Sequence, residues 1–374
     1  MSDGFSLRDA LFNAETVAQL GREFSRGVDG FDAATFVDTA MAGLAERDLL
    51  DRLEWLATCL EPQLPAAFPE MADALEAAMP PPLDPSLRDD DFGQFIHAIP
   101  GVLAVRHGLH AHPDRALDLL HAGTQRFSME RYIRPFLDHW PEKTLARLDE
   151  WVGDPNYHVR RLVSEGTRPV LPWAPRLALD PAVPLRFLDA LHSDPTRYVT
   201  RSVANHLNDL TKIIPDAVYE RLGSWAKVGR AEGAELAWLT RHALRSEIKA
   251  GAPHAMDMLG YRRDAEIRLE HFEIAPTDPQ LGGTAEIHVV LVAEPDLPVL
   301  VDYVMHLRKA NGRLAPKVYK MKDTAADAGG RLALTKRHRF KAGASTFTLR
   351  EGRQEVSVQV NGRTLGTLPF TLRP

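Results

Sequence analysis

The chain has 374 residues, 44% hydrophobic and 26% charged, which suits two or three globular domains rather than a fibrous or disordered polymer. Its single cysteine, Cys59, excludes an intramolecular disulfide and a cysteine-built zinc site. The net charge of −6 conceals a split: residues 1–100 carry 6 Lys+Arg against 19 Asp+Glu (−13), and the remainder carries 39 against 32 (+7), so a polyanionic partner stays open for the later part.

The opening residues, MSDGFSLRDALFNAETVAQL, lack a basic start followed by an apolar run, which predicts no secretion signal. No stretch approaches the roughly 18 apolar residues of a membrane helix, so no membrane association and a cytoplasmic location are expected. Up to residue 264, apolar residues recur at i, i+3 and i+4 between loops rich in Pro, Gly and Asp, the pattern of an all-α region. Within it, MPPPLDPSLRDDDFG at 79–93 is proline- and acid-rich and reads as a linker or long loop. The histidines of RHGLHAH at 106–112 lack carboxylates in ligand spacing, so no metal site is expected. Loops of the GxxxxGK[ST], GxGxxG and GxSxG kinds do not occur, which leaves nucleotide, flavin and serine-hydrolase chemistry unsupported and no cofactor expected.

A repeat follows. DPNYHVRRLVSEG begins at Asp154 and DPTRYVTRSVANH at Asp194, an offset of 40, and LTRHALRSEIKAG keeps the register less completely after another 40. Arg161, Arg201 and Arg241 coincide in this alignment, as do Val159, Val199 and Leu239. Helix pairs with a period near 40 indicate a HEAT-like solenoid. On its helices Val159, Leu162 and Val163 form an apolar stripe, while Arg161 and Glu165 share a polar face. Arg201, Asn205 and Asp209 occupy that face in the second repeat, and Arg241 and Arg245 in the third. Stacking predicts an arginine ladder with acids between its rungs. Arg–Glu pairs at i, i+4 are also common on plain solvated faces, so spacing leaves both a structural and a chemical reading open.

After residue 264 the pattern changes to short alternating runs such as AEIHVVLV, VLVDYVMHL and EVSVQVNG. Seven to nine strands in 110 residues predict an antiparallel immunoglobulin-like sandwich over 265–374, with tight hairpins at Asn311–Gly312 and Asn361–Gly362. The fold expected is therefore multidomain: an all-α HEAT-like repeat solenoid over 1–264, then an all-β immunoglobulin-like sandwich.

The stretches VRRLVSEGTRPVLPWAPRL and YVTRSVANHLNDLTKIIPDAVYERLGSW closely resemble the DNA alkylation repair glycosylases of the AlkC/AlkD superfamily. FSMERYIRPFL, WLTRHALRSEIKAG and MDMLGY resemble its AlkC branch, whose larger form also carries an immunoglobulin-like C-terminal domain. The resemblance covers roughly residues 100–374 and departs in RFSMERYIRPF, where Thr and Phe are expected around the retained glutamate. It implies a monomeric, cofactor-free enzyme that excises cationic alkylated bases (3-methylcytosine, 1-methyladenine and 3-methyladenine) from double-stranded DNA without flipping them.

The resemblance makes Glu165, Asp209 and Glu130 the catalytic candidates, which would stabilise an oxocarbenium sugar and orient water. Trp173 is expected against the damaged nucleotide, or alternatively as packing between repeats, and Asn205 beside the substrate. Arg134, Arg161, Arg201 and Arg241 are the phosphate candidates, each with a structural role as its alternative. Lys336, Arg337 and Arg339, in the basic stretch KRHRFKAG of a domain with 16 Lys+Arg against 12 Asp+Glu, are the expected DNA contacts of the sandwich, read as a basic finger with a solvated edge strand as the alternative. The reading from another class is a non-catalytic repeat protein that binds branched or damaged DNA, or protein. Retention of the acids beside the arginines favours the enzyme.

Overall fold

The DP pairs of the repeat act as helix starters. In the computed structural model, which describes residues 6–87, 89, 91–341 and 348–374, Asp154 Oδ1 accepts the Asn156 amide at 2.7 Å. Asp194 Oδ1 accepts the Thr196 amide at 2.9 Å in the same way. Each turn opens a helix: Tyr157–Gly166, whose Asn156 cap also accepts the His158 amide, and Arg197–Leu210. Val159, Leu162, Val163, Val199 and Val203 are fully buried along their shared seam. Each such side chain contributes on the order of 2 kcal/mol by leaving water. A third helix, Gly233–Ala243, packs against Arg197–Leu210, and shorter or outer helices (Pro141–Trp151, Leu185–Leu191, Pro215–Val228) alternate with these three.

The third repeat departs from its expected form. Its helix ends at Ala243, Leu244 leaves the helical path at φ −89°, ψ 9°, and a new short helix spans Arg245–Ala250. Arg241 and Arg245 therefore do not share one continuous stripe. Contacts divide the chain at this same point, into a unit ending at Ala243 and a unit Leu244–Pro374. The helices Arg245–Ala250 and Pro253–Met258 thus belong with the strands, although the change in sequence pattern comes at 264. The described part of segment 79–93 holds no helix or strand; Arg88 and Asp90 lie outside the described residues. No helix among the described residues is long and apolar enough to cross a membrane.

The second unit carries seven strands: β1 Arg268–Ala275, β2 Thr284–Val292, β3 Pro298–Arg308, β4 Leu314–Ala325, β5 Arg331–Arg339, β6 Gly352–Val360 and β7 Arg363–Leu372. They form two antiparallel sheets, ordered β1-β2-β5 and β4-β3-β6-β7. Alternate residues point inward (Ala285, Ile287, Val289 and Leu291 from β2; Val356, Val358 and Val360 from β6) and meet Phe340 and Phe370 in one core. Asn361 and Gly362 make the expected two-residue turn between β6 and β7, both at positive φ (45° and 76°). Asn311–Gly312 instead lies in a longer loop closed by Lys309 N–H donating to the Arg313 carbonyl at 2.8 Å.

Candidate catalytic carboxylate network

Five charged side chains, two of them on one helix, meet in the first unit. Glu165 ends the Tyr157–Gly166 helix, and Arg161 stands one turn before it, with Arg161 Nη2 3.6 Å from Glu165 Oε2. Arg161 also pairs with Glu130, and both it and Glu130 share the Ser128 hydroxyl at 2.6 Å. On the far side Arg168 bonds Glu165 through Nη1 and Asp209 through Nε at 2.9 Å and Nη2 at 2.8 Å. The order is Glu130–Arg161–Glu165–Arg168–Asp209, three carboxylates against two guanidinium groups.

This network is less open than a polar solenoid face would be. Glu165 is only 5% exposed, because Arg161, Arg168 and Ser202 close over it, whereas the side chains of Asp209 and Glu130 keep 14% and 25% of their surface. Burial pushes the Glu165 carboxyl up. The charges of Arg161 and Arg168 and hydrogen bonds from Ser202 and Arg168 outweigh that and hold it below the ordinary carboxylate range. Burial likewise opposes the charge on Arg161, and Glu130, Tyr198 and Glu165 raise its pKa nonetheless.

The expected phosphate contacts divide. Arg134 is 3% exposed and donates to the carbonyls of Gly166, Arg168, Pro169 and Pro175 at 2.6–3.4 Å. It cannot reach a phosphate from there; it ties the segment carrying Arg168 and Trp173 to the helix Arg134–His139. Arg161 is committed to Glu130 and Glu165 rather than held out to solvent. Arg201 is more open but meets Asp89 of the acidic segment at 2.6 Å. From the same segment, Phe92 stacks edge-on against Tyr198. Arg241 lies half-buried near the end of the third helix.

Trp173 is 59% exposed, on the irregular stretch after Gly166, where its carbonyl accepts from Arg131. Asn205 is half-buried, with Oδ1 3.0 Å from His242 Nε2. In the second unit Lys336, Arg337 and Arg339 are exposed on β5, at the edge of the three-stranded sheet, and Arg337 meets Glu286 at 3.1 Å. They belong to an edge strand rather than a finger; residues 342–343 of that stretch lie outside the described residues. Sequence reasoning missed Arg168, Ser128 and Ser202. Arg168 lies in the quoted SEGTRP motif but beyond the last helical turn, where periodicity no longer ranks it.

The chain matches the family model for the C-terminal Ig-like domain of the uncharacterised protein YhaZ over residues 268–374. It is 29% identical over 368 residues to that protein from Bacillus subtilis (strain 168), covering 96% of this chain and 98% of the relative. It also matches the solved structure of the Pseudomonas fluorescens alkylpurine DNA glycosylase AlkC bound to DNA containing an abasic site analog. That match has 33% identity, covers 99% of this chain and all of the other, and has a TM-score of 0.88.

Proposed function

The chain belongs to the AlkC family, and from that premise we propose that it is a DNA glycosylase that removes alkylated bases by cleaving their N-glycosidic bond. The observation that carries the reading is the five-membered network, whose three carboxylates and two guanidinium groups sum to one negative charge. A base alkylated into a cation is already an activated leaving group, since breaking its glycosidic bond releases it neutral. No general acid is required. The positive charge that develops on the sugar needs a fixed negative field and a positioned water, and a preorganised, partly dry carboxylate cluster supplies both.

In this mechanism Glu165 fixes the sign of the field at the centre, while the more open Asp209 and Glu130 face water and sugar. Trp173 offers its exposed indole to the cationic nucleotide, and Asn205 lies beside the substrate. The substrates are cationic bases in double-stranded DNA, with 3-methylcytosine and 1-methyladenine first and 3-methyladenine also accepted. The backbone is gripped from outside rather than the base extruded. Arg201 and Arg241 of the first unit, and Lys336, Arg337 and Arg339 of the second, supply phosphate contacts.

The test is release of free base from duplexes carrying 3-methylcytosine, 1-methyladenine, 3-methyladenine or 7-methylguanine, in EDTA. Release of 3-methylcytosine without metal is expected. No release from any duplex, with tight salt-sensitive binding, leaves a DNA-binding protein without catalysis.

A further inference from the structure

The Ser164–Glu165 pair is approached from the neighbouring repeat by two residues one helical turn apart. Ser202 Oγ lies 2.6 Å from Glu165 Oε2 and 2.9 Å from Ser164 Oγ. His206, four residues on, places Nδ1 3.0 Å from the Ser164 carbonyl oxygen. All four residues are buried: Ser164 and His206 at 0%, Ser202 at 2% and Glu165 at 5% exposure.

The proton directions follow from counting. An ionised carboxylate only accepts, and a serine hydroxyl has one proton to give. Ser202 therefore gives its proton to Glu165, the shorter contact, and Ser164 Oγ lies beside the Ser202 oxygen. His206 carries its proton on Nδ1, facing the carbonyl. Burial, with Arg168 close by, drops its pKa to about 3, so it adds no cation to the site. The charged groups facing Glu165 come from three other places: Arg161 on its own helix with Glu130 behind it, Arg168 on the following segment with Asp209 behind it, and buried Arg134 beyond. The arginines are long and shared with other acids. Ser202 is the short, rigid, neutral donor among the partners of Glu165.

We infer that Ser202 is a positioning residue for Glu165: its hydroxyl, with Ser164 packed beside it, fixes one carboxylate oxygen and keeps the group an acceptor. The inference rests on the catalytic reading of Glu165. Because the Ser202–Glu165 bond crosses from one repeat to the next, it also ties the geometry of the acid to the stacking of the two helices.

The test compares Ser202→Ala, Ser202→Thr, Ser164→Ala and Glu165→Gln in the full chain, by single-turnover base release as a function of pH, DNA affinity and thermal unfolding. A hydrogen bond to a charged acceptor is worth a factor of about ten to a hundred. Ser202→Ala is therefore expected to slow release by at least about tenfold with DNA affinity unchanged, and to move the acid-side loss of activity to higher pH. Ser164→Ala should do the same more weakly, and Ser202→Thr, which keeps the hydroxyl, should restore the acid limb. If Ser202→Ala leaves rate and acid limb unchanged while Glu165→Gln is inactive, the positioning role is wrong. A rate loss equal at all pH values also overturns it, since that is the mark of packing alone. Full activity in Glu165→Gln would instead overturn the catalytic reading itself.

Discussion

Glu165 illustrates how a side chain with ordinary helix-surface spacing becomes something else through its neighbours. At i and i+4 with Arg161 it reads as a surface pair worth about 0.4 kcal/mol. Its near-complete burial and its second guanidinium, Arg168, come from residues that periodicity does not place. Spacing made the acid visible but not its environment, because Arg168 lies past the helix end and Ser202 reaches over from 37 residues away. On the catalytic reading, Glu165→Gln and Asp209→Asn should each slow base release by at least about a hundredfold, as loss of a transition-state electrostatic partner does. DNA affinity should hold or rise, since a negative charge near phosphates is lost. Quench-flow base release alongside equilibrium binding checks both halves, and undiminished release by both variants would remove these residues from the mechanism.

The elements themselves were easier to read than what joins them. The DP starters, the 40-residue spacing of the Tyr157–Gly166 and Arg197–Leu210 helices and the alternation of β2 and β6 are local patterns, and they appear where the sequence puts them. The break at Leu244 was hidden because RHALRSEIKA keeps helical periodicity straight through it. Arg134 was hidden for a different reason: its burial is imposed by the 166–175 segment folding over it, and nothing local to ERYIRPF says so. Its replacement leaves buried carbonyls without donors, so Arg134→Ala should destabilise the first unit by ~3 kcal/mol. The salt dependence of DNA binding should meanwhile stay that of the wild type. Chemical denaturation and binding titrations separate these outcomes; preserved stability with a flatter salt slope would return Arg134 to the phosphates.

At the scale of the whole chain, buried histidines in both units resist protonation. Burial lowers His158 to about 4 and His206 to about 3 in the first unit, and His338 to about 4 in the second. The unfolded chain binds these protons below about 6.5, but the folded one does not until far lower, so stability must fall as pH drops through that window. At pH 5 each histidine should cost about 2 kcal/mol. The depressed Glu165 adds a loss of the same sign at still lower pH, below the ordinary value of 4.5. Thermal unfolding should therefore shift downward between pH 7 and pH 5 for both units, and His206→Gln should blunt the shift in the first unit only. A transition temperature flat across that range would contradict the burial argument.

The ion pair between Arg201 and Asp89 also bears on how binding responds to salt. Affinity for DNA falls with salt because protein cations release the counterions condensed on phosphates, with a slope of about 0.9 per phosphate neutralised. An arginine that trades a carboxylate for a phosphate sets one anion free as it covers another, and the freed carboxylate draws a counterion back. Arg201 should thus be nearly silent in the slope while Asp89 is present. Asp89→Asn should both tighten binding at low salt and steepen the slope by up to about 0.9. Neutralising Lys336, Arg337 and Arg339 together should flatten it. On this surface the acidic segment sets how many arginines the salt can count.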